Sequence, residues 1–193
     1  SSYDCKLIQN QENIGYGAAC NLGAEKASGT YLLFINPDSE LKPETLNELI
    51  KAADNYPSAS AFNPKIIGRS GKQSFKKRSV LLQKSEWMSK KFPEFDKDVS
   101  VLSGAAIFIK KENFTKINGF DEKIFLYHED DDISIRLKEE IGPLMYIHNA
   151  IITHIGGSSS SRDETIAKIK GYHMGRSRAV SYTHLRAHET VHH

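Results

Sequence analysis

The sequence predicts an α/β fold with a largely parallel central sheet. Three observations carry this: short apolar runs alternate with helical patterns through the first half, the run Tyr31-Leu32-Leu33-Phe34-Ile35 is apolar on both faces, and it stops at the turn residues Asn36-Pro37-Asp38. A strand apolar on both faces is one covered by helices on each side, and strand–helix alternation is the pattern of parallel sheets.

In chain order, Lys6 to Gln9 reads as a short strand, and Gly15-Tyr16-Gly17 is a turn opening a helix whose small apolar positions are Ala18, Ala19, Leu22 and Ala27. After the strand at 31–35 a second helix starts near Pro43, with Glu44 in its first turn and Leu46, Leu49 and Ile50 directed inward. Ser60 to Phe62 is a strand, and Ile66-Ile67 lead into the polar turn Gly68-Arg69-Ser70-Gly71. Residues Ser74 to Asp98 are basic and irregular. Apolar character returns from Val99 to Lys110 around Gly104, and Asn113 to Ile117 form one or two helical turns before Asn118-Gly119. A helix from Asp130 carries Ile133, Leu137 and Ile141 at intervals of four and ends at Gly142-Pro143. Met145 to Ile147 and Ala150 to Ile152 are two short strands, Gly156 to Ser161 is a loop, and Arg162 to Arg178 is helical.

With 193 residues, 39% hydrophobic and 26% charged, the chain can bury the core of one ordinary globular domain. A net charge of +2 gives no global field for nucleic acid, so an anionic ligand has to be held locally. Cys5 and Cys20 are too few for a disulfide scaffold and lack a Cys or His at metal-ligand spacing, which fits a reducing cytosol. No apolar run approaches the roughly 20 residues of a bilayer span, and the N-terminus lacks the basic flank and apolar centre of a signal peptide. Ser1 to Asp4 run straight into Leu7-Ile8, as if the chain were entered in mid-domain. Residues 180–193 read as a foreign, translated tail, leaving 1–179 as the domain.

Four constellations could carry chemistry. Asp38 follows a strand, where open α/β sheets bind ligands, and its hard carboxylate suits Mg²⁺ or Mn²⁺ against a diphosphate; Asn-Pro-Asp-Ser is also good turn chemistry. His128-Glu129-Asp130-Asp131-Asp132 opens a helix. Four adjacent carboxylates repel and must be paired, solvated or metal-bound, and one of them could take a proton from an alcohol; the helix dipole alone also favours acidic residues there. His154-Ile155-Gly156-Gly157-Ser158 again follows an apolar strand, and could hold phosphate or metal, or be a simple glycine turn. Gly15-Tyr16-Gly17 invites a dinucleotide reading that fails, because Cys20 stands at the third glycine and no acidic residue ends a second strand about 20 residues on. Beside these four, Lys76-Lys77-Arg78 could steer an anionic donor or a lipid-phosphate acceptor, or be a solvated loop.

In order and spacing, Asn13 to Gly23, Leu32 to Leu41, Ser103 to Ala106, Gly119 to Arg136 and Thr153 to Ser158 resemble the family 2 glycosyltransferases of bacterial surface-polysaccharide synthesis, particularly the rhamnosyltransferase-like branch. The resemblance implies a GT-A fold, a nucleotide-binding α/β sandwich with a mostly parallel sheet, here with its first strands missing and residues 1–179 a partial catalytic domain. It implies inverting transfer of a sugar from a nucleoside diphosphate (dTDP or UDP) to a hydroxyl of a glycan or lipid-linked acceptor. No nucleic acid is involved, and the full-length enzyme is expected in the cytoplasm, peripheral to the inner face of the plasma membrane. Carried onto matching positions, Asp130 is the catalytic base, with Asp132 the next candidate. Asp38 and His154 attend the Mg²⁺ or Mn²⁺, and Asn36 stands where many relatives have Asp. Asn13, Gly15 and Asn21 lie along the donor, while Gly104, Glu129 and Asp132 belong to the substrate site. A metal-dependent phosphoesterase and a non-catalytic nucleotide-sugar binding fragment are the rivals. As given, the chain is expected to transfer sugar poorly or not at all.

Overall fold

The computed structural model describes residues 5–155 and 164–191. The elements in chain order are α1 (Tyr16–Lys26), β1 (Tyr31–Ile35), β2 (Ser39–Leu41), α2 (Thr45–Asn55), β3 (Ala61–Gly68), β4 (Gln73–Ser74), β5 (Lys97–Val99), β6 (Ala106–Lys110), α3 (Lys111–Lys116), α4 (Glu129–Glu140), β7 (Leu144–His154) and α5 (Glu164–Val191), with a 3₁₀ turn at Lys84–Glu86. The loop expected at 156–161 lies outside the described residues.

The α/β class holds, and the direction of the strands corrects the expectation of a mostly parallel sheet. The sheet runs β1-β6-β3-β7-β2, with β4 on β3 and β5 on β7. β3 and β7 are parallel, and every other pairing among the described strands is antiparallel. The cause is β6, which runs between β1 and β3 against both of them. Apolar runs reveal that a strand is buried on both faces and say nothing of its direction.

Both faces of the sheet are covered. Leu32, Phe34, Ile107 and Ile109 meet Ala24, Phe114, Phe120, Ile133 and Leu137 on one side. Phe62, Phe108, Met145 and Ile147 meet Leu49, Ala52 and Ala53 of α2 on the other. On α2 the buried face is Thr45, Leu49, Ala52 and Ala53. Leu46 and Ile50, expected inward, are 44% and 45% exposed, because they fall on the neighbouring stripe of the helix. Lys6 to Gln9 form no strand and stay exposed, without a ladder partner among the described residues.

The two short late strands are one. β7 follows β3 through Ile147 opposite Pro64, then resumes with Ile151 opposite Lys65. Residues 148–150 are thus left out of register beside a proline that has no N–H to give. Its outer edge is shared, β5 taking the Leu144 to Tyr146 end and β2 the Ile152 to His154 end. α5 continues unbroken across position 180, with Ser181 buried and the Tyr182 hydroxyl donating to Val80 O at 2.7 Å. Among the described residues no helix is long and apolar enough to cross a membrane.

Candidate active site

β1 ends where Asn36-Pro37 stops the ladder, and the chain turns directly into β2. Antiparallel pairing then sets Ser39 opposite His154. Asp38, one residue earlier, meets the imidazole, with Oδ1 3.1 Å from Nε2 and side chains only 13% and 25% exposed. The Ile155 N–H donates to Asp38 O at 3.0 Å. Asn36 Nδ2 lies 3.5 Å from the same imidazole nitrogen. The two residues expected to attend a metal, distant in sequence, are therefore neighbours. Their donor set, one carboxylate and one imidazole, fits Mg²⁺ or Mn²⁺ as a half-site whose other positions are left to diphosphate oxygens and water. Among the described residues no third Asp, Glu, His or Cys completes a cage around them.

The second centre is built on the loop before β6. The Gly104 N–H donates to Asp130 Oδ2 at 2.9 Å, and a Cβ on Gly104 would stand 3.3 Å from that carboxylate oxygen, so a residue without a side chain lets the helix start come close. The loop is rigidly held. Ser103 N donates to Asn63 Oδ1 at 2.6 Å, and Asn63 Nδ2 donates to Ser103 O at 3.1 Å and to Ala106 O. Leu102 N donates to Ser134 Oγ at 2.9 Å, tying the loop to α4.

The same loop reaches the first centre. Asn36 N donates to Ala105 O at 3.1 Å. Residues 103–105 thus form a three-residue bridge, with the Asp38–His154 pair anchored at one end through Asn36 and Asp130 anchored next to it through Gly104.

Each acid at the start of α4 has a different environment. Tyr127 and His128, which precede the helix, both hold left-handed backbone at φ 67 and 66, a strained conformation for residues with side chains. His128 Nδ1 sits 3.0 Å from Asp131 Oδ2. Lys76, from the segment after β4, lies 2.7 Å from Asp130 Oδ2 and 2.8 Å from Asp131 Oδ1. Burial alone would lower the Lys76 pKa, but Asp130 and Asp131 outweigh it and hold the ammonium charged. Burial would likewise raise Asp131, yet hydrogen bonding from His128 and the charge of Lys76 bring it below the usual carboxylate range. Arg136 takes Asp132 through two nitrogens at 2.6 and 2.9 Å, so this buried carboxylate braces α4 internally.

Glu129 differs from the other three. Its Oε2 is buried without a hydrogen-bond partner among the described residues. Burial, reinforced by the negative charge of Asp130, pushes its pKa up to about 7. Nearby, burial raises the Tyr16 phenol well above its usual range and lifts the Cys20 thiol to about 11, so neither is an anion near neutral pH.

On the donor side of the expectation, Asn13 Oδ1 accepts from Gly15 N at 3.1 Å, and Gly15 at φ 88 opens α1. Asn21 clamps the 119–122 loop: its Oδ1 accepts from Phe120 N at 2.9 Å, while Nδ2 donates to Phe120 O at 2.9 Å and to Glu122 Oε1 at 3.2 Å. With Phe120, Glu122 and Arg136 it lines a shallow pocket of about 330 Å³, and Asp38, Asp130 and His154 are not among its walls. Asn63 and Ser134 were not legible as site residues, and Lys76, expected to steer an anionic ligand or to lie in a solvated loop, instead contacts Asp130 and Asp131. All three act across long stretches of chain. In fact Lys77 lies 4.4 Å from the Phe92 ring centroid and Arg78 5.5 Å from that of Trp87, so all three basic residues are engaged.

Residues 1–117 match the family described as Glycosyl transferase family 2, more than half of the 193-residue chain, and the chain belongs to that family. It is 26% identical over 187 residues to the N-acetylglucosaminyl-diphospho-decaprenol L-rhamnosyltransferase of Mycobacterium tuberculosis, covering 82% of this chain and 61% of that protein. The chain therefore spans under two thirds of this relative's length. Among solved structures, GalNAc-T7 with UDP, GalNAc and Mn²⁺ superposes with a TM-score of 0.61 at 17% identity, covering 81% of this chain and 33% of that one. S. aureus TarS 1-349 in complex with UDP-GlcNAc gives 0.59 at 18% identity, covering 81% and 45%. At such identities the likeness shows the fold, which is GT-A.

Proposed function

We propose that this chain carries the catalytic centre for inverting transfer of a sugar from a nucleoside-diphosphate donor to a hydroxyl of a glycan or lipid-linked acceptor, in cell-surface polysaccharide synthesis at the cytoplasmic side of the membrane. The observation that carries the reading is the 103–105 bridge, which anchors a metal-competent Asp–His pair and an ionisable carboxylate side by side. Sugar transfer needs both functions at once: neutralisation of the departing diphosphate and removal of a proton from a poorly nucleophilic alcohol. Family membership supports transfer as the reaction. The relative named for a diphospho-decaprenol substrate supports a lipid-linked acceptor, and the UDP-bound neighbours support a nucleotide donor.

In this reading Asp38 and His154 hold Mg²⁺ or Mn²⁺, which supplies charge neutralisation to the leaving group. Asp130 accepts the acceptor proton, held in place by Gly104. Asn13 and Gly15 line the donor, and Asn21 acts by fixing the loop beside it. Glu129, about half protonated near neutral pH, is in that form a hydrogen-bond donor to substrate, and Asp132 supports the helix that presents Asp130.

Two substitutions test the assignment. In the full-length enzyme Asp130→Asn should lower transfer by roughly 10²–10⁴ while donor affinity stays within a few fold, since a general base acts on the acceptor. Asp38→Ala should remove the Mn²⁺-dependent part of donor binding, so that calorimetric affinities with Mn²⁺ and with chelator become equal. Equal affinities in the parent chain would remove the metal role. Hydrolysis of the donor without any acceptor would point to a phosphoesterase.

A further inference from the structure

We propose that Lys76 is the positioning residue of the Asp130 carboxylate, pinning one of its oxygens together with the Gly104 N–H so that the other is presented to the acceptor hydroxyl. This rests on the reading of Asp130 as the base. Two contacts converge on the same atom: Lys76 Nζ and Gly104 N lie 2.7 and 2.9 Å from Oδ2. Two fixed donors on one oxygen set the rotation of the carboxylate as well as its position, which a single contact cannot do.

The electrostatic need is specific. The charged and titratable groups facing Asp130 are Glu129 and Asp131 on its own helix, Lys76 from the segment after β4 and the neutral Tyr16 phenol from α1. Asp132, further along α4, is neutralised by Arg136. Lys76 is thus the cation in contact with Asp130 among the described residues, set against two neighbouring carboxyl groups. By bridging Asp130 and Asp131 it also separates their charges. Its side chain is 22% exposed, so water screens the pair only in part. The segment that delivers Lys76 is anchored by its neighbours: Lys77 and Arg78 lie on Phe92 and Trp87, and Lys77 O accepts from Met88 N at 2.8 Å. These anchors hold the backbone while Lys76 points inward.

The test is transfer by the full-length enzyme carrying Lys76→Met, with folding checked by circular dichroism. In Lys76→Met kcat should fall roughly 10–10²-fold with donor KM unchanged, the usual effect of a misplaced catalytic group, and Lys76→Arg, which keeps a cation within reach of Oδ2, should recover most of it. A folded Lys76→Met with the parent's kcat, or a loss confined to donor KM, overturns the proposal. Should Lys76→Met fail to fold, the parent itself decides: a slowly exchanging Lys76 ammonium signal in ¹⁵N NMR is expected from the ion pair, and a freely exchanging one overturns it. Transfer by Asp130→Asn at the parent's rate would instead sink the base assignment whatever Lys76→Met gives, so the two failures are distinct.

Discussion

Glu129 and Asp130 are adjacent carboxyl groups with opposed surroundings, and that contrast is where single-residue chemistry is set. Asp130 has a cation and an amide N–H on one oxygen, whereas Glu129 has a buried Oε2 without a hydrogen-bond partner among the described residues and a pKa pushed from 4.5 to about 7. Because the folded state holds the Glu129 proton more tightly than the unfolded chain, the native form binds more protons between these two values, and stability falls as pH rises through that window. Above about pH 7 the full penalty applies, on the order of 3 kcal/mol at 1.36 kcal/mol per pH unit of displacement. Glu129→Gln keeps the shape and removes the ionisation. Urea unfolding should therefore find the variant more stable than the parent at pH 8, nearly equal at pH 5, and flatter between them. A parent whose stability is level from pH 5 to 8 would show that Glu129 is already ionised and solvated.

At the scale of elements, the site depends on where helices begin. α1 starts at Gly15, whose φ of 88 suits glycine, and a Cβ there would stand 2.4 Å from the backbone oxygen of Phe125. That oxygen also accepts from Tyr16 N at 3.1 Å, so α1 and the chain leading into α4 are in direct backbone contact. Gly15→Ala should cost roughly 2–4 kcal/mol, combining left-handed strain with a clash that only backbone movement can relieve. For a chain of this size that is a fall in melting temperature of roughly 4–16 °C, and an unchanged melting temperature would mean that the 125–128 segment yields freely. Local signals made such starts readable in the sequence: Gly15 before α1, acidic residues in the first turn of α4, Pro43 before α2. The inward face of α2 was misread because Leu46 and Ile50 are apolar yet lie one stripe away from Thr45, Leu49 and Ala52. Burial was decided by the side chains of β3 and β7, which a local pattern does not contain.

Over the whole molecule, what was legible and what was not divides by range. The α/β class, the strand-end position of Asp38 and His154 and the acidic helix start are local patterns. The antiparallel course of β6 and the insertion of Lys76 beside Asp130 are long-range outcomes, because pairing direction and a contact across distant segments leave no periodicity in either segment. α5 was legible as a helix over much of its length, but its packing is of the long-range kind. Among the described residues none of α5 belongs to the three buried apolar clusters, which end at Ile152. It instead stacks His173 on Phe125 at 4.4 Å and donates from Ser177 Oγ to Leu126 O at 2.8 Å. Those contacts fall on the residues just before the left-handed pair Tyr127-His128, so α5 braces the strained entry to α4 while the sheet stands without it. A chain ending at residue 163 should therefore keep its sheet and most of its melting temperature. Losing a ring stack and a hydrogen bond, worth about 1 kcal/mol each, should ease local opening by about 2 kcal/mol. Amide exchange over residues 125–132 should accordingly quicken roughly 30-fold, with protection in β3, β6 and β7 unchanged. Uniform loss of protection across the sheet would show instead that α5 is part of the folding core.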